Sequence, residues 1–131
     1  MKKVLLTIAI ILMPVLCSAQ SDKDRERFAY VSAQMKLTKE VKAALDTIRG
    51  EGDFSSFDPS STATRTFIDG NGVYMAYKGT LSDGRGVAGR VIVNTVDKVL
   101  YILHVSYPRS MADNFAEGVY NKVRSTMKKT N

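Results

Sequence analysis

Residues 73–94 read VYMAYKGTLSDGRGVAGRVIVN, and two incompatible structures compete for their middle. Gly84, Gly86 and Gly89 satisfy Gly-x-Gly-x-x-Gly, the pattern that in a dinucleotide-binding fold carries a strand into a helix whose N-terminus holds a pyrophosphate. In that fold the last glycine opens the helix. Here Gly89 is followed by RVIVN, which is β-branched and strand-like, and the residues before the glycines alternate with a period of two. Asp83-Gly84 between two such runs is a hairpin signal. We therefore read two antiparallel strands, with Gly84 supplying the positive φ of the turn. Gly86 and Gly89 then lie inside a strand, where they mark a bulge, a twist or the close approach of a covering helix. This reading sets nucleotide binding aside.

Working outward, the period-two pattern runs from Arg65 to Tyr107, with turn chemistry at regular intervals. TRTFI precedes DGNG, GVAGRVIVN precedes TVDK, and VLYILHVSY ends at a proline. The expected sheet is a four-stranded antiparallel meander. With Asp83 and Gly84 as the two central turn residues, Tyr77 faces Arg90 and Tyr74 faces Val93. One face then carries Val73, Met75, Tyr77, Ala88, Arg90 and Ile92, and the other Tyr74, Ala76, Lys78, Val87, Val91 and Val93. The next strand adds Tyr101, Leu103 and Val105 to the first face, and Leu100, Ile102 and His104 to the second. Both faces are apolar, so both need a cover.

Two amphipathic helices are on offer. Before the sheet, Phe28, Val31 and Met35 recur at helical spacing, and Leu37, Val41, Ala44, Leu45 and Ile48 form a second stripe. Thr38 is a candidate cap, and Gly50 with Gly52 marks the end. One long helix and two pieces meeting near Leu37 both fit. After the sheet, Met111, Phe115, Val119, Val123 and Met127 give a stripe widened by Ala112, Ala116 and Tyr120, read as a core face. Ser110 with Asp113 resembles a capping box. The fold class is α+β, an N-terminal and a C-terminal helix enclosing the antiparallel sheet as an α/β/α sandwich. The alternative, both helices on one side, leaves an exposed apolar face. Residues 51–66, EGDFSSFDPSSTATRT, read as a Ser/Thr-rich loop. Phe54 and Phe57 either pin it against the core or grip a ligand.

The chain begins MKKVLLTIAIILMPVLCSAQ, two lysines, an apolar run and then small residues. This is the pattern of a secretory signal peptide over residues 1–19, cut between Ala19 and Gln20. The apolar run is shorter than the ~20 residues that span a bilayer, so no stable membrane span is expected after cleavage. Leu16 stands where a bacterial lipoprotein has a small residue, which argues against acylation of Cys17. Residues 20–131 form a single domain, exported to the periplasm or secreted. The one cysteine, Cys17, leaves with the leader. No disulfide, thiol nucleophile or thiolate metal site then remains. The formal net charge of +6 includes Lys2 and Lys3; the balance left without them is unexceptional, and the basic residues are scattered apart from a positive tail at Lys122, Arg124, Lys128 and Lys129.

Reaction chemistry finds few residues. His104 is the one histidine, set in mid-strand beside Leu103 and Val105, and reads as a core or sheet-edge residue. IDGNG is too short for a calcium loop, and there is no Gly-x-Ser-x-Gly elbow. A convergent carboxylate pair stays open, although most of the acids already serve turns, caps or the charged N-terminal segment. Tyr74, Tyr77 and Tyr101 interleave with Lys78 and Arg90 somewhat as in sheets that bind nucleic acid, but the charge and the leader argue against that partner. Tyr77 with Arg90 is kept as a cross-strand stacking pair. We expect no catalytic residue, metal or cofactor, and a candidate binding surface of Phe54, Phe57, Tyr77, Arg90 and His104.

LYILHVSYP followed by a helix carrying NFAEGVYNKVRS resembles the C-terminal half of PsbP-like proteins, with Phe115, Val123 and Ser125 in the matching places. The resemblance covers roughly residues 72–127. It departs where Thr126 follows the serine instead of phenylalanine and where the family's N-terminal signature is missing. It implies an α/β/α sandwich with an accessory, chaperone-like or binding role and no catalysis. The expected function is a small exported, noncatalytic protein-binding or accessory module of the bacterial envelope, whose partner is another protein. The alternatives are a periplasmic inhibitor or immunity protein of a toxic enzyme, a small-ligand or lipid carrier with a pocket between Phe54, Phe57 and a helix, and a hydrolase using carboxylates and His104.

Overall fold

The computed structural model describes residues 22–111 and 113–129; the expected leader at 1–19 lies outside them. In chain order the elements are helix α1 (Asp22–Glu51), strands β1 (Phe54–Pro59), β2 (Ala63–Thr66), β3 (Asn71–Leu81), β4 (Gly86–Val96) and β5 (Val99–Pro108), and helix α2 (Asp113–Thr126). All strand pairs are antiparallel, in the order β1-β3-β4-β5, with β2 also paired to β3. The class is α+β, with a helix on each face of the sheet.

The sheet has a fifth strand where a loop was expected. Residues 51–66 contain β1 and β2, which share one flank of β3. β1 pairs with its second half, from Phe54 opposite Leu81 to Pro59 opposite Tyr77, and β2 pairs with its start, Ala63 opposite Tyr74. β1 is a short edge strand whose register shifts between Phe54 and Ser56. Such a strand buries little, and of its residues only Phe54 and Phe57 are even partly covered.

The β3–β4 register differs from the expected one by one residue. Val73 pairs with Val93 and Tyr77 with Gly89, not with Arg90. The cause is the turn. Gly84 N donates to Leu81 O and Leu81 N to Arg85 O, both at 2.8 Å, so the loop holds three residues, Ser82, Asp83 and Gly84, with Gly84 at φ 92°. That is a type I turn followed by a left-handed residue, the common three-residue hairpin. Asp83 fits its place there, since Oδ1 accepts from Arg85 N at 3.0 Å. A one-residue slip moves every side chain of the following strands to the opposite face.

The corrected faces explain the two cores. On the α1 side, Val73, Met75, Tyr77, Val91, Val93 and Leu100 pack with Leu37, Val41 and Leu45. On the α2 side, Ile92 and Tyr101 pack with Phe67, Ile68 and Tyr120. The glycine segment runs on as β4, with no helix after Gly89.

α1 is one unbroken helix. Thr38 does not cap it; its Oγ1 donates to Gln34 O at 2.9 Å inside the helix. At about 1.5 Å per residue the helix is roughly 45 Å long, more than the sheet beneath it requires. Gln34 Nε2 meets Asn71 O at 3.4 Å, at the start of β3, and the helix N-terminal to this point extends past the sheet. Val31, on this overhang, is therefore exposed, and Met35, the residue after Gln34, is exposed as well. The side chain of Phe28 lies outside the described part.

The β2–β3 turn also sits earlier than the DGNG motif suggested. Phe67 N donates to Gly70 O at 2.8 Å, and the two residues between, Ile68 and Asp69, have φ of 48° and 57°. A β-branched residue there is strained by about 1–3 kcal/mol. Two contacts offset the strain: Ile68 is buried in the α2-side core, and buried Asn94 donates through Nδ2 to Phe67 O at 2.6 Å and Ile68 O at 3.3 Å.

Candidate functional site

On the α1 face the described structure gathers four of the five expected surface residues. Tyr77 is buried and stacks on Phe57 with ring centroids 4.9 Å apart, while Phe54 meets Phe57 edge-on at 5.1 Å. Tyr77 reaches across β4 because its neighbour there is Gly89. A Cβ at that position would overlap the tyrosine ring. The close approach expected at this glycine is thus made by a cross-strand ring and not by a helix. On the far side of Gly89, Tyr77 Oη lies 2.7 Å from His104 Nε2. Burial pushes the Tyr77 hydroxyl up to about 12, and desolvation holds the His104 imidazole below its ordinary value. His104 is therefore neutral at pH 7, and it sits on edge strand β5, exposed to solvent on its open side.

Phe54 and Phe57 act as pins: both are partly buried against the α1-side core. Their rings pack on each other and on Tyr77.

Arg90 is not part of this group. The register correction turns it to the α2 face, so the Tyr77–Arg90 stack does not form. Its guanidinium lies 5.5 Å from the centre of the Tyr120 ring, and its Nε donates to Tyr107 Oη at 3.3 Å. Arg124 covers the same ring at 5.7 Å and ties α2 to β2 through Nη1 to Thr66 O at 2.7 Å. Arg65 lies over Tyr74, whose ring is 5.8 Å from Tyr120. Tyr120 thus anchors α2 through cation–π contacts. Its hydroxyl and Arg124 Nε are buried without a hydrogen-bond partner, and burial pushes the hydroxyl up to about 12.

Seating Tyr120 rotates α2 away from the expected orientation. The buried residues are Ala116 and Tyr120, whereas Phe115, Val119 and Val123 are 61%, 43% and 37% exposed. The helix also begins at Asp113, after a turn in which Met111 N donates to Pro108 O at 3.0 Å, so Ser110 is not its cap. At about 100° per residue, Phe115, Val119 and Val123 lie on the flank of α2 away from Arg124. Arg124 points to β2, so this apolar flank faces the β5 side of the sheet.

β5 is the opposite edge of the sheet from β1, and the two edges differ. β1 is short, shifted in register, and carries Asp58 and Pro59, devices that block strand addition. β5 is VLYILHVSYP, without a charged residue and with its proline at the end. The β4–β5 turn fixes which of its backbone groups are free. Asp97 and Lys98 both have positive φ, 51° and 65°, between paired Val96 and Val99. In such a two-residue turn the flanking pair exchanges hydrogen bonds, and bonded pairs alternate from there. Val99, Tyr101, Leu103 and Val105 therefore bond to β4, while the N–H and C=O groups of Leu100, Ile102, His104 and Ser106 point outward. Sequence reasoning missed this flank, because it assigned the α2 stripe to the core.

Among the described residues no helix is long and apolar enough to cross a membrane, and no three His, Cys, Asp or Glu side chains gather as metal ligands. Comparison with protein-family models, with curated proteins and with solved structures finds no match for the chain.

Proposed function

We propose that this chain is a small exported, noncatalytic protein-binding module of the bacterial envelope that engages another polypeptide along the β5–α2 flank. One observation carries the reading: an uncharged ten-residue edge strand, unpaired on its outer side among the described residues, lies beside an exposed apolar helix stripe, Phe115, Val119 and Val123. Strand addition supplies main-chain hydrogen bonds, and an adjacent apolar stripe supplies buried area. The leader-like start supports export, and the resemblance to PsbP-like proteins supports an accessory role. His104 supports a noncatalytic reading, since its hydrogen-bond partner is a tyrosine held protonated by burial.

The test is a photo-crosslinking side chain at Val119, with one at exposed Asp46 on α1 as control, in the exporting cell. A polypeptide adduct is expected at 119 and not at 46. Adducts of equal yield at both positions, or at neither, would overturn the assignment.

A further inference from the structure

We infer that the occupant of the β5 edge is a second copy of this chain, paired antiparallel through β5 about a two-fold axis at Leu103. The inference rests on the reading of the β5–α2 flank as a docking surface for polypeptide and names what docks there. The outward backbone groups favour a β-strand as occupant, because an added strand matches the spacing of the N–H and C=O groups along the edge. A two-fold contact requires the surface to complement itself, and β5 does. Pairing Ile102 with the partner copy's His104, and Leu100 with its Ser106, lets all four outward residues exchange both backbone bonds in one register. Leu103 then faces Leu103 across the axis, and Tyr101 faces Val105. No charged side chain lies between Val99 and Tyr107, so two copies of a basic chain meet here without like charges opposed.

The helices fit the same axis. Tyr120 shares a core cluster with Ile92 of β4 and Tyr101 of β5, and its ring lies 5.8 Å from that of Tyr74 on β3, so α2 lies on one face of the sheet that ends in β5. A two-fold axis between antiparallel edge strands stands perpendicular to the sheet, so it sets the two copies of α2 on the same face of the joined sheet. Their facing sides are the apolar stripes of Phe115, Val119 and Val123, so the exposure of those residues in the single chain is removed by the same contact that pairs the strands.

The exported chain, purified intact, is measured by sedimentation equilibrium over a concentration series. A dimer is expected. Ser106→Pro removes an N–H that points away from β4 and leaves the β4–β5 ladder whole; it is expected to weaken the dimer roughly tenfold or more with the circular dichroism of the chain unchanged. Leu103→Cys is expected to oxidise to a covalent dimer, since directly opposed residues of a non-bonded pair approach within disulfide reach, and Val105→Cys is not. A monomer throughout the series, or a dimer indifferent to Ser106→Pro and not trapped by Leu103→Cys, overturns the inference. A monomer whose residue 119 crosslinks to a different polypeptide refutes the second copy and leaves the docking flank standing; a monomer without any adduct refutes both.

Discussion

Tyr77 Oη on β3 reaches His104 Nε2 on β5 at 2.7 Å, over a β4 residue, Gly89, that has no side chain. The glycine is required for space, since a Cβ would overlap the ring. Gly89→Ala is expected to destabilise the fold by about 1–3 kcal/mol through overpacking, read as a lower urea midpoint with unchanged slope. An unchanged midpoint would show that the ring does not lie across β4.

Burial of His104 gives stability a pH dependence. Desolvation lowers the His104 pKa in the folded chain below its ordinary value near 6.5, so below that pH the unfolded chain binds the proton first. Stability is expected to be full above pH ~6.5, to fall as the pH drops through this value, and to level off below the folded pKa. Proton NMR titration of the imidazole checks the sign. A folded pKa above the unfolded one would reverse it.

Asn94 holds a strained turn from inside the core. Its Nδ2 bonds Phe67 O and Ile68 O, and its Oδ1 accepts from Thr95 N at 2.9 Å. Asn94→Ala leaves buried carbonyls without a donor and is expected to cost about 2 kcal/mol or more. Chemical denaturation measures this; a loss under ~0.5 kcal/mol, the level of an ordinary surface change, would mean that the turn supports itself.

Tyr120 offers the opposite case. Its hydroxyl is buried without a partner, while its ring is what α2 rests on. Tyr120→Phe is expected to be neutral or stabilising by up to about 1 kcal/mol, and Tyr120→Ala to cost about 3–5 kcal/mol. If both variants lost stability equally, the hydroxyl would have a role that its surroundings do not reveal.

The strands of this fold were legible wherever burial alternates on a pleated surface, and the positive φ of Gly84 was legible from its turn. What failed has local causes. β1 escaped notice because an edge strand of serines burying only two phenylalanines, with a register shift between them, has no period to detect. The face of Arg90 was misassigned because Ser82-Asp83-Gly84 and Asp83-Gly84 are equally good turns in sequence, and one residue of difference exchanges the faces of β4 and β5. That exchange brought His104, expected opposite Tyr77's face, into contact with Tyr77. The orientation of α2 escaped because its wide apolar arc permits either Phe115, Val119 and Val123 or Ala116 and Tyr120 to face inward. Stacking of Arg90 and Arg124 on Tyr120, a contact between residues far apart in the chain, selects the second.

The most direct test of the docking flank is residue-resolved amide hydrogen exchange on the chain alone at high dilution and on the chain carrying the polypeptide captured at Val119. The amides of Ile102, His104 and Ser106, which point away from β4, are expected to exchange quickly in the dilute chain and slowly in the complex, while those of Tyr101, Leu103 and Val105 are slow in both. Binding that leaves the three outward amides fast and protects a surface elsewhere would contradict the account.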